Sequence, residues 1–519
     1  MTVNSATGGR SKGLVLAAMV FAVAMTFIDQ TIVSIAAPQI QRELGLTDTG
    51  MQWAINAYLL SLAALFAFGG RLADTVGHRK MVVLGVIVFA LASVMCGLTP
   101  KGSLAEAWIV TFRVIQGAGG AIMFPAAIAI VVQTFPLRER GRALAIFFGV
   151  AGGLTAIGPI LGGYLTQWTW RAIFWVNVPV ALVALVLIAL AKPTTVHKPA
   201  RMDYRGLALI AGGVALSVFG FQESAIWGWG NPGTWLCIVL GVILLVAFFF
   251  VERRTPSPLI QVEIFRIRPF LVENLVLAVS MLVFLPVFFF ASEYAQIALG
   301  KSASEAGLFI LYFFIGFVVA AQLGGRMLDR SGAKRAVVLG CAISAVGFYL
   351  WAGKVTDLSL SSQQWYIILA GAGMGLMLGP AQTDAVNRAS RYAYGEATGI
   401  TQTVRNYAGS LGLAILGTIL VSQMRSRITT SLIAQGVPAH AAAAQASSIS
   451  QSRSAGSVAS IPHFIRLDFA YATRSVFYVM AAVMAAGAIV ALLGLHRGLQ
   501  EELEPVAEKS VPEPAHGVA

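Results

Sequence analysis

The sequence predicts an all-α integral membrane protein: two six-helix bundles with two further spans inserted between them. Three observations carry that reading. Mean hydropathy is +0.77, and only 11% of the 519 residues are charged, where soluble domains have about a quarter. Apolar runs of about 20 residues, the length a helix needs to cross a bilayer, recur along the chain. A charged stretch also occurs twice, as GRLADTVGHRK at 70–80 and GRMLDRSGAKR at 325–335. Both copies hold Gly-Arg, Leu, Asp, a second Gly and a closing basic cluster, which marks an internal repeat.

Apolar runs broken by charge, Gly and Pro place the spans. The first six lie near 13–36, 51–70, 81–99, 106–133, 142–166 and 173–191. Two follow near 206–222 and 234–251, and six more near 270–291, 303–324, 335–353, 364–385, 396–423 and 473–495. Each copy of the charged stretch follows the second span of a set of six. The chain therefore divides into an N-terminal bundle (1–192), the inserted pair with its linkers (193–268) and a C-terminal bundle (269–498). That last unit carries a long loop at 424–472, containing the helix-permissive AAAAQASSISQS. Residues 499–519 form an acidic, Pro-containing tail that reads as disordered. Arg10 and Lys12 precede an apolar run that continues to Pro38 without a cleavage site, so the run reads as an uncleaved first span.

The net charge of +13 does not indicate nucleic-acid binding, because the basic residues form no stripe or face. They collect in alternate short loops, as Arg71, Arg79 and Lys80, then Arg138, Arg140 and Arg142, then Arg326, Arg330, Lys334 and Arg335. That bias predicts a multi-pass protein of the cell membrane with both termini cytoplasmic and loop 424–472 outside. Cys96, Cys237 and Cys341 sit singly in apolar runs, with neither disulfide nor metal spacing. No HExxH, GxSxG or GxxxxGK[ST] motif is present, which argues against an enzyme or an ATP-driven pump.

Several motifs in order carry a resemblance. Gly70, Leu72, Asp74, Gly77, Arg79 and Lys80 fit a cytoplasmic pattern G-x-L-a-D-r-x-G-r-k, with Thr75 departing from it and Arg330 restoring the basic residue in the second copy. MTFIDQTIVSIAAPQI fits D-x-T-I-V-x-x-A-x-P, and GPILGG stands in the fifth span. The chain resembles the major facilitator superfamily over nearly its whole length, and its fourteen spans resemble the drug:proton antiporter branch. That resemblance implies a major facilitator fold of fourteen transmembrane helices and a multidrug exporter driven by the proton gradient without a cofactor. Its partners would be protons, the lipid bilayer and a small amphipathic substrate, and a monomer satisfies the plan. Export of one dedicated compound (a lipid, a peptide or a self-made antibiotic) is the alternative, and a membrane-embedded receptor or enzyme ranks below it.

Each motif also has a physical reading. Gly70 and Gly77 allow tight turns beside Asp74, as Gly332 does beside Asp329 in the second copy, and Asp74 can hold an Arg or face a helix N-terminus. These residues and Arg79 form a candidate hinge. Asp29 lies about 24 Å along its helix from Gly13, where an acid faces a cavity or a partner. Arg113, in IVTFRVIQGAGGA, enters from the outer side to about the same depth and is its candidate partner. Together they make a candidate proton-coupling switch, because protonation weakens a buried ion pair. Gly153, Gly158, Pro159, Gly162 and Gly163 give the fifth span a smooth stripe and a bend, and the resemblance ties GPILGG to antiporters. Asn56, Tyr58, Gln116, Gln402, Arg405, Asn406 and Glu293 are candidate cavity residues. WRAIFWVNVP, at 170–179, reads as an interfacial turn with aromatic anchors.

Overall fold

The computed structural model describes residues 9–193, 202–256, 258–388, 394–451, 462–495 and 498. The tail at 499–519 lies outside them. The N-terminal bundle holds α1 (Gly9–Leu44), α2 (Asp48–Val76), α3 (His78–Gly97), α4 (Ala105–Thr134), α5 (Leu137–Trp168), the short α6 (Ala172–Trp175) and α7 (Asn177–Ala191). The inserted pair is α8 (Tyr204–Trp227) and α9 (Pro232–Glu252). The C-terminal bundle holds α10 (Arg268–Ile297), α11 (Ala303–Ser331), α12 (Ala333–Lys354), α13 (Gln364–Arg388), α14 (Tyr394–Ala434), α15 (Ala439–Gln451) and α16 (His463–Gly494). Among the described residues, 12 helical stretches are long and apolar enough to cross a membrane. The Gly-rich α5 and α13 are long helices outside that set.

The repeat in the sequence is a repeat in space. Gly77 (φ +111°) separates α2 from α3, and Gly332 (φ +77°) separates α11 from α12. Both conformations favour glycine, so each copy of the charged stretch makes the same abrupt turn. The likeness extends into the bundles. A Cβ on Gly85 would stand 2.7 Å from the Gly119 carbonyl oxygen and 2.6 Å from the Met123 Cβ. A Cβ on Gly340 would stand 2.7 Å from the Gly373 carbonyl oxygen and 2.6 Å from the Met377 Cβ. Helices α3 and α4 thus approach as closely as α12 and α13 do. Lipid gives helices no hydrophobic reason to associate, and such contacts take its place.

Chain order puts the start of α1 and the end of α16 at one end of the bundle, here the proximal end. The halves meet at the opposite, distal end. The Gln296 Nε2 on α10 donates to the Ile35 carbonyl of α1 at 2.9 Å. Gln167 of α5 donates to the Ser304 hydroxyl of α11. Ser410 of α14 donates to the Asn56 Oδ1 of α2 at 2.9 Å. The inserted α8 spans this seam: its Glu223 accepts from the Trp53 indole of α2 at 2.9 Å, while its Phe221 carbonyl accepts from Thr418 of α14 at 3.0 Å. Helix α9 packs on α8 and turns Leu236, Ile243 and Phe250 outward.

Two expectations change. The described residues of loop 424–472 are largely helical, and Met424, Ile428 and Leu432, buried at i, i+4 spacing, carry α14 past the apolar window. Helix α15 occupies part of the remainder, and α16 begins at His463. The stretch at 170–179 is not an interfacial anchor. Trp170 is fully buried, its indole donates to Glu43 at 2.9 Å, and Arg171 lies 4.4 Å over its ring. Arg171 also donates to the Gly97 and Thr99 carbonyls at 2.7 and 2.9 Å. A polar partner on each side makes the turn a latch within the protein.

Gly307 of α11 lies against the Pro159 carbonyl of α5, with no room for a Cβ. Gly307→Val should therefore wedge α5 and α11 apart, at a cost of about 1–3 kcal/mol. Spin labels at Trp168 and Lys301 should report a longer distal-end distance in the variant than without the substitution. An unchanged distance would show that this contact does not set the separation.

Candidate functional site

Asp29 and Arg113 meet inside the N-terminal bundle. Helix α1 supplies the acid and α4 the guanidinium, whose Nη1 donates to Asp29 Oδ2 at 2.5 Å. Each side chain is 1% exposed or less, so water screens the pair little. Further bonds hold both ions. Arg113 Nε donates to the Ala54 carbonyl of α2 at 2.9 Å, and Nη1 reaches Gln116 Oε1 at 2.8 Å. Gln116 Nε2 donates to Asp29 Oδ1 at 3.0 Å and to the Ser93 hydroxyl of α3 at 3.3 Å. Asn177, at the start of α7, donates to that same hydroxyl at 2.9 Å, and Ser93 donates to the Phe174 carbonyl at 2.8 Å.

The Tyr58 ring covers the guanidinium at 4.4 Å, an attractive cation–π geometry, and its hydroxyl donates to the Thr26 carbonyl at 3.2 Å. One ion pair thus draws side chains or carbonyls from α1, α2, α3, α4 and α7 into a sealed network. Ser93 and Asn177 escape a sequence reading, since an isolated Ser or Asn in an apolar span carries no pattern. Their role shows only once α3 and α7 are placed.

The duplication does not extend to this pair. Arg113 stands six residues before Gly119, and Ile367 stands six before Gly373, the glycine in the matching place. The C-terminal bundle therefore has no cation at that depth of α13.

A narrow cavity lies between the bundles at mid-height. Thr26, Phe27, Gln30, Leu62, Phe66 and Phe124 line it from the N-terminal side. Met281, Leu285, Gln402, Arg405 and Asn406 line it from the other. Three of the candidate cavity residues, Gln402, Arg405 and Asn406, are here. Tyr58 and Gln116 belong to the ion-pair network instead. Asn56 belongs to the distal seam, where its amide meets that of Gln222 at 2.6 Å. Glu293 is buried on α10 near its distal end; its neighbour Tyr294 donates to the Val355 carbonyl at 2.6 Å. Asp29 does not face the cavity, but its neighbour Gln30 does, because one residue turns a side chain about 100° round a helix.

At the proximal end, Asp74 pairs with His78 across the Gly77 turn at 3.1 Å. Asp329 is exposed at the matching place on α11, and Arg79 is partly buried at the start of α3. Gly70 on α2 has room for a Cβ, at 3.5 Å from Pro125. On α5, Gly158 and Gly162 lie against Ile28, Thr31 and Ile32 of α1, and Gly163 and Pro159 against α11. The GPILGG stretch thus touches both bundles at once. Gly153 lies on the same helix.

A model of the Major Facilitator Superfamily matches residues 19–413. The chain is 34% identical over 413 residues to a tetracenomycin C resistance and export protein of Streptomyces glaucescens, covering 79% of this chain and 76% of that one. It is 34% identical over 407 residues to the puromycin resistance protein pur8 of Streptomyces alboniger, covering 76% and 79%. The multidrug transporter protein MdtP of Bacillus subtilis is 29% identical over 437 residues, covering 83% and 79%. Among solved structures, a bacterial homologue of the human lysosomal transporter Spinster, inward-facing and unoccupied, superposes with a TM-score of 0.61 at 18% identity, over 94% of this chain and 98% of that one. A D-xylose–proton symporter gives 0.60 at 11%, over 93% and 98%. These two establish a shared fold.

Removing one member of a buried ion pair costs about 3–5 kcal/mol, because the other charge stays uncompensated. Arg113→Met should therefore lower the melting temperature of the detergent-solubilised protein more than the double variant Asp29→Asn, Arg113→Met does. If the double variant melts lowest, the pair is not what holds these five helices together.

Proposed function

This chain belongs to the major facilitator superfamily, so it is a multi-span membrane transporter, and on that premise we propose that it is a proton-coupled exporter of amphipathic compounds. The observation that carries the reading is the cavity lined from both bundles, closed on its distal side by contacts of α5 with α11 and α2 with α14. A site between two such bodies can face either side in turn if they rock about it. Fourteen helices would cross the plasma membrane, with α5 and α13 among them and both termini cytoplasmic. Those distal contacts would then seal the outside, leaving the cavity in contact with the cytoplasm. No cofactor is needed, since the proton gradient drives the cycle.

Asp29 is the group we assign to proton coupling. Protonation would release Arg113 from α1, and α1 also presents Thr26, Phe27 and Gln30 to the cavity. Coupling would act through the position of α1, because the carboxylate and the substrate occupy different sides of one helix. Asp74 and His78 would reposition at the proximal hinge as that side closes. Export of a single compound is the second reading. Relatives named for individual antibiotics, tetracenomycin C and puromycin, support it.

Inside-out vesicles with an acidic lumen and a trapped pH dye test both claims. Adding a transported compound should alkalinise the lumen as protons leave in exchange. Asp29→Asn should reduce that flux by about tenfold or more, within the usual range of a coupling free energy. Full flux in the variant would take Asp29 out of the coupling path. Uptake of compound with no change in luminal pH would remove proton coupling itself.

A further inference from the structure

Arg405 is a cation with no carboxylate partner among the described residues. It stands on α14 at the wall of the cavity. Its Nη1 donates to Gln382 Oε1 at 2.6 Å and to Gln402 Oε1 at 3.0 Å, and Nη2 lies 4.0 Å from the Met281 sulfur. Its Nε is buried without an acceptor, and the Nε2 of Gln382 is in the same condition. Arg405 forms no ion pair among the described residues, whereas Arg113 has the Asp29 carboxylate, the Gln116 amide and the Ala54 carbonyl. A guanidinium has five N–H donors in a planar fork that fits a carboxylate with two parallel bonds. Leaving that fork among neutral amides is costly, and a bound anion would relieve the cost.

The rest of the cavity says what such an anion must look like. Phe27, Phe66 and Phe124 face Arg405 from the other bundle, with Leu62 and Leu285 beside them. Thr26, Gln30 and Asn406 add neutral polar groups. Among the described residues no acidic side chain is part of this lining, so a cationic ligand would enter beside a fixed positive charge with nothing there to neutralise it. We propose that the cavity, widened as the bundles part, selects amphipathic monoanions, with a carboxylate, acidic phenolate or enolate on Arg405 and an aromatic or alkyl body against the phenylalanines. The inference rests on the export reading and narrows it to one charge class.

The test compares 4-(1-pyrenyl)butyrate, its methyl ester and the matching primary ammonium at pH 8. Dissociation constants are measured by fluorescence on the full chain in nanodiscs, with empty nanodiscs subtracted. The carboxylate should bind about tenfold or more tighter than the ester and the ammonium, as a hydrogen bond to a charged group implies. Arg405→Gln should abolish that preference while leaving the ester constant unchanged, which also shows the cavity intact. Arg405→Lys should retain part of it. Equal constants in the wild type, tighter binding of the ammonium, no binding of the carboxylate, or a preference that survives Arg405→Gln would each overturn the inference. Vesicle uptake separates this result from the export reading. Transport of all three probes without preference sinks only the charge selection. A carboxylate preference in nanodiscs with no transport supports the site and sinks export.

Discussion

Close approach of helix backbones is the constraint on which the rest of this structure depends. A bilayer offers apolar side chains no gain from leaving lipid for protein, so bundles cohere through packing and polar contacts. The glycines at 85, 119, 340 and 373 supply that packing at equivalent places in both bundles. Where backbones are this close, few arrangements other than rigid contact exist. Each bundle can then move as a body, and conformational freedom is confined to the seam between them.

Against that symmetric frame, charge is placed asymmetrically. The N-terminal bundle holds a cation and its anion together, sealed by α2, α3 and α7. The C-terminal bundle places a cation at the cavity and gives it amides. If both were structural ion pairs, each would have a protein carboxylate, and Ile367 would not stand where Arg113 stands. The two arginines therefore face different demands. Arg113 is satisfied before any ligand arrives, and Arg405 retains donors that a ligand can use.

What could be read from the sequence divides along the same line. The duplicated stretch was legible because Gly-Asp-Gly spacing encodes a backbone turn, and Gly77 and Gly332 adopt it. Pairing Asp29 with Arg113 was within reach because opposite charges at equal depth in lipid must find each other. Lateral placement was not legible. Gln30 and Asp29 differ by one position yet face the cavity and the bundle interior, and only the azimuth of α1 decides which. Trp170 read as a lipid anchor because Trp beside Arg at a span end has that composition. Its burial depends on Glu43, more than 120 residues earlier. The extension of α14 was hidden for another reason: Met424, Ile428 and Leu432 are spaced too widely to raise local hydropathy.

The inserted pair takes on a meaning that a topology count does not give it. An insertion that merely lengthened the linker would contact lipid on most sides, as α9 does. Helix α8 instead lies along the seam, bonded through Glu223 to Trp53 on α2 and through the Phe221 carbonyl to Thr418 on α14. The Ser217 and Tyr407 hydroxyls add a third bond at 2.9 Å, toward the middle of the bundle. Any motion that parts α2 from α14 at the distal end must break one set of these bonds, and α8 then travels with the other bundle. Hydroxyls and amides suit that duty. Each bond is modest enough to exchange, and Ser217 and Thr418 also bond backbone carbonyls of their own helices, which keeps them satisfied if the seam opens. An apolar seam would hold the halves with less direction, and an ion pair there would hold them too firmly to reverse.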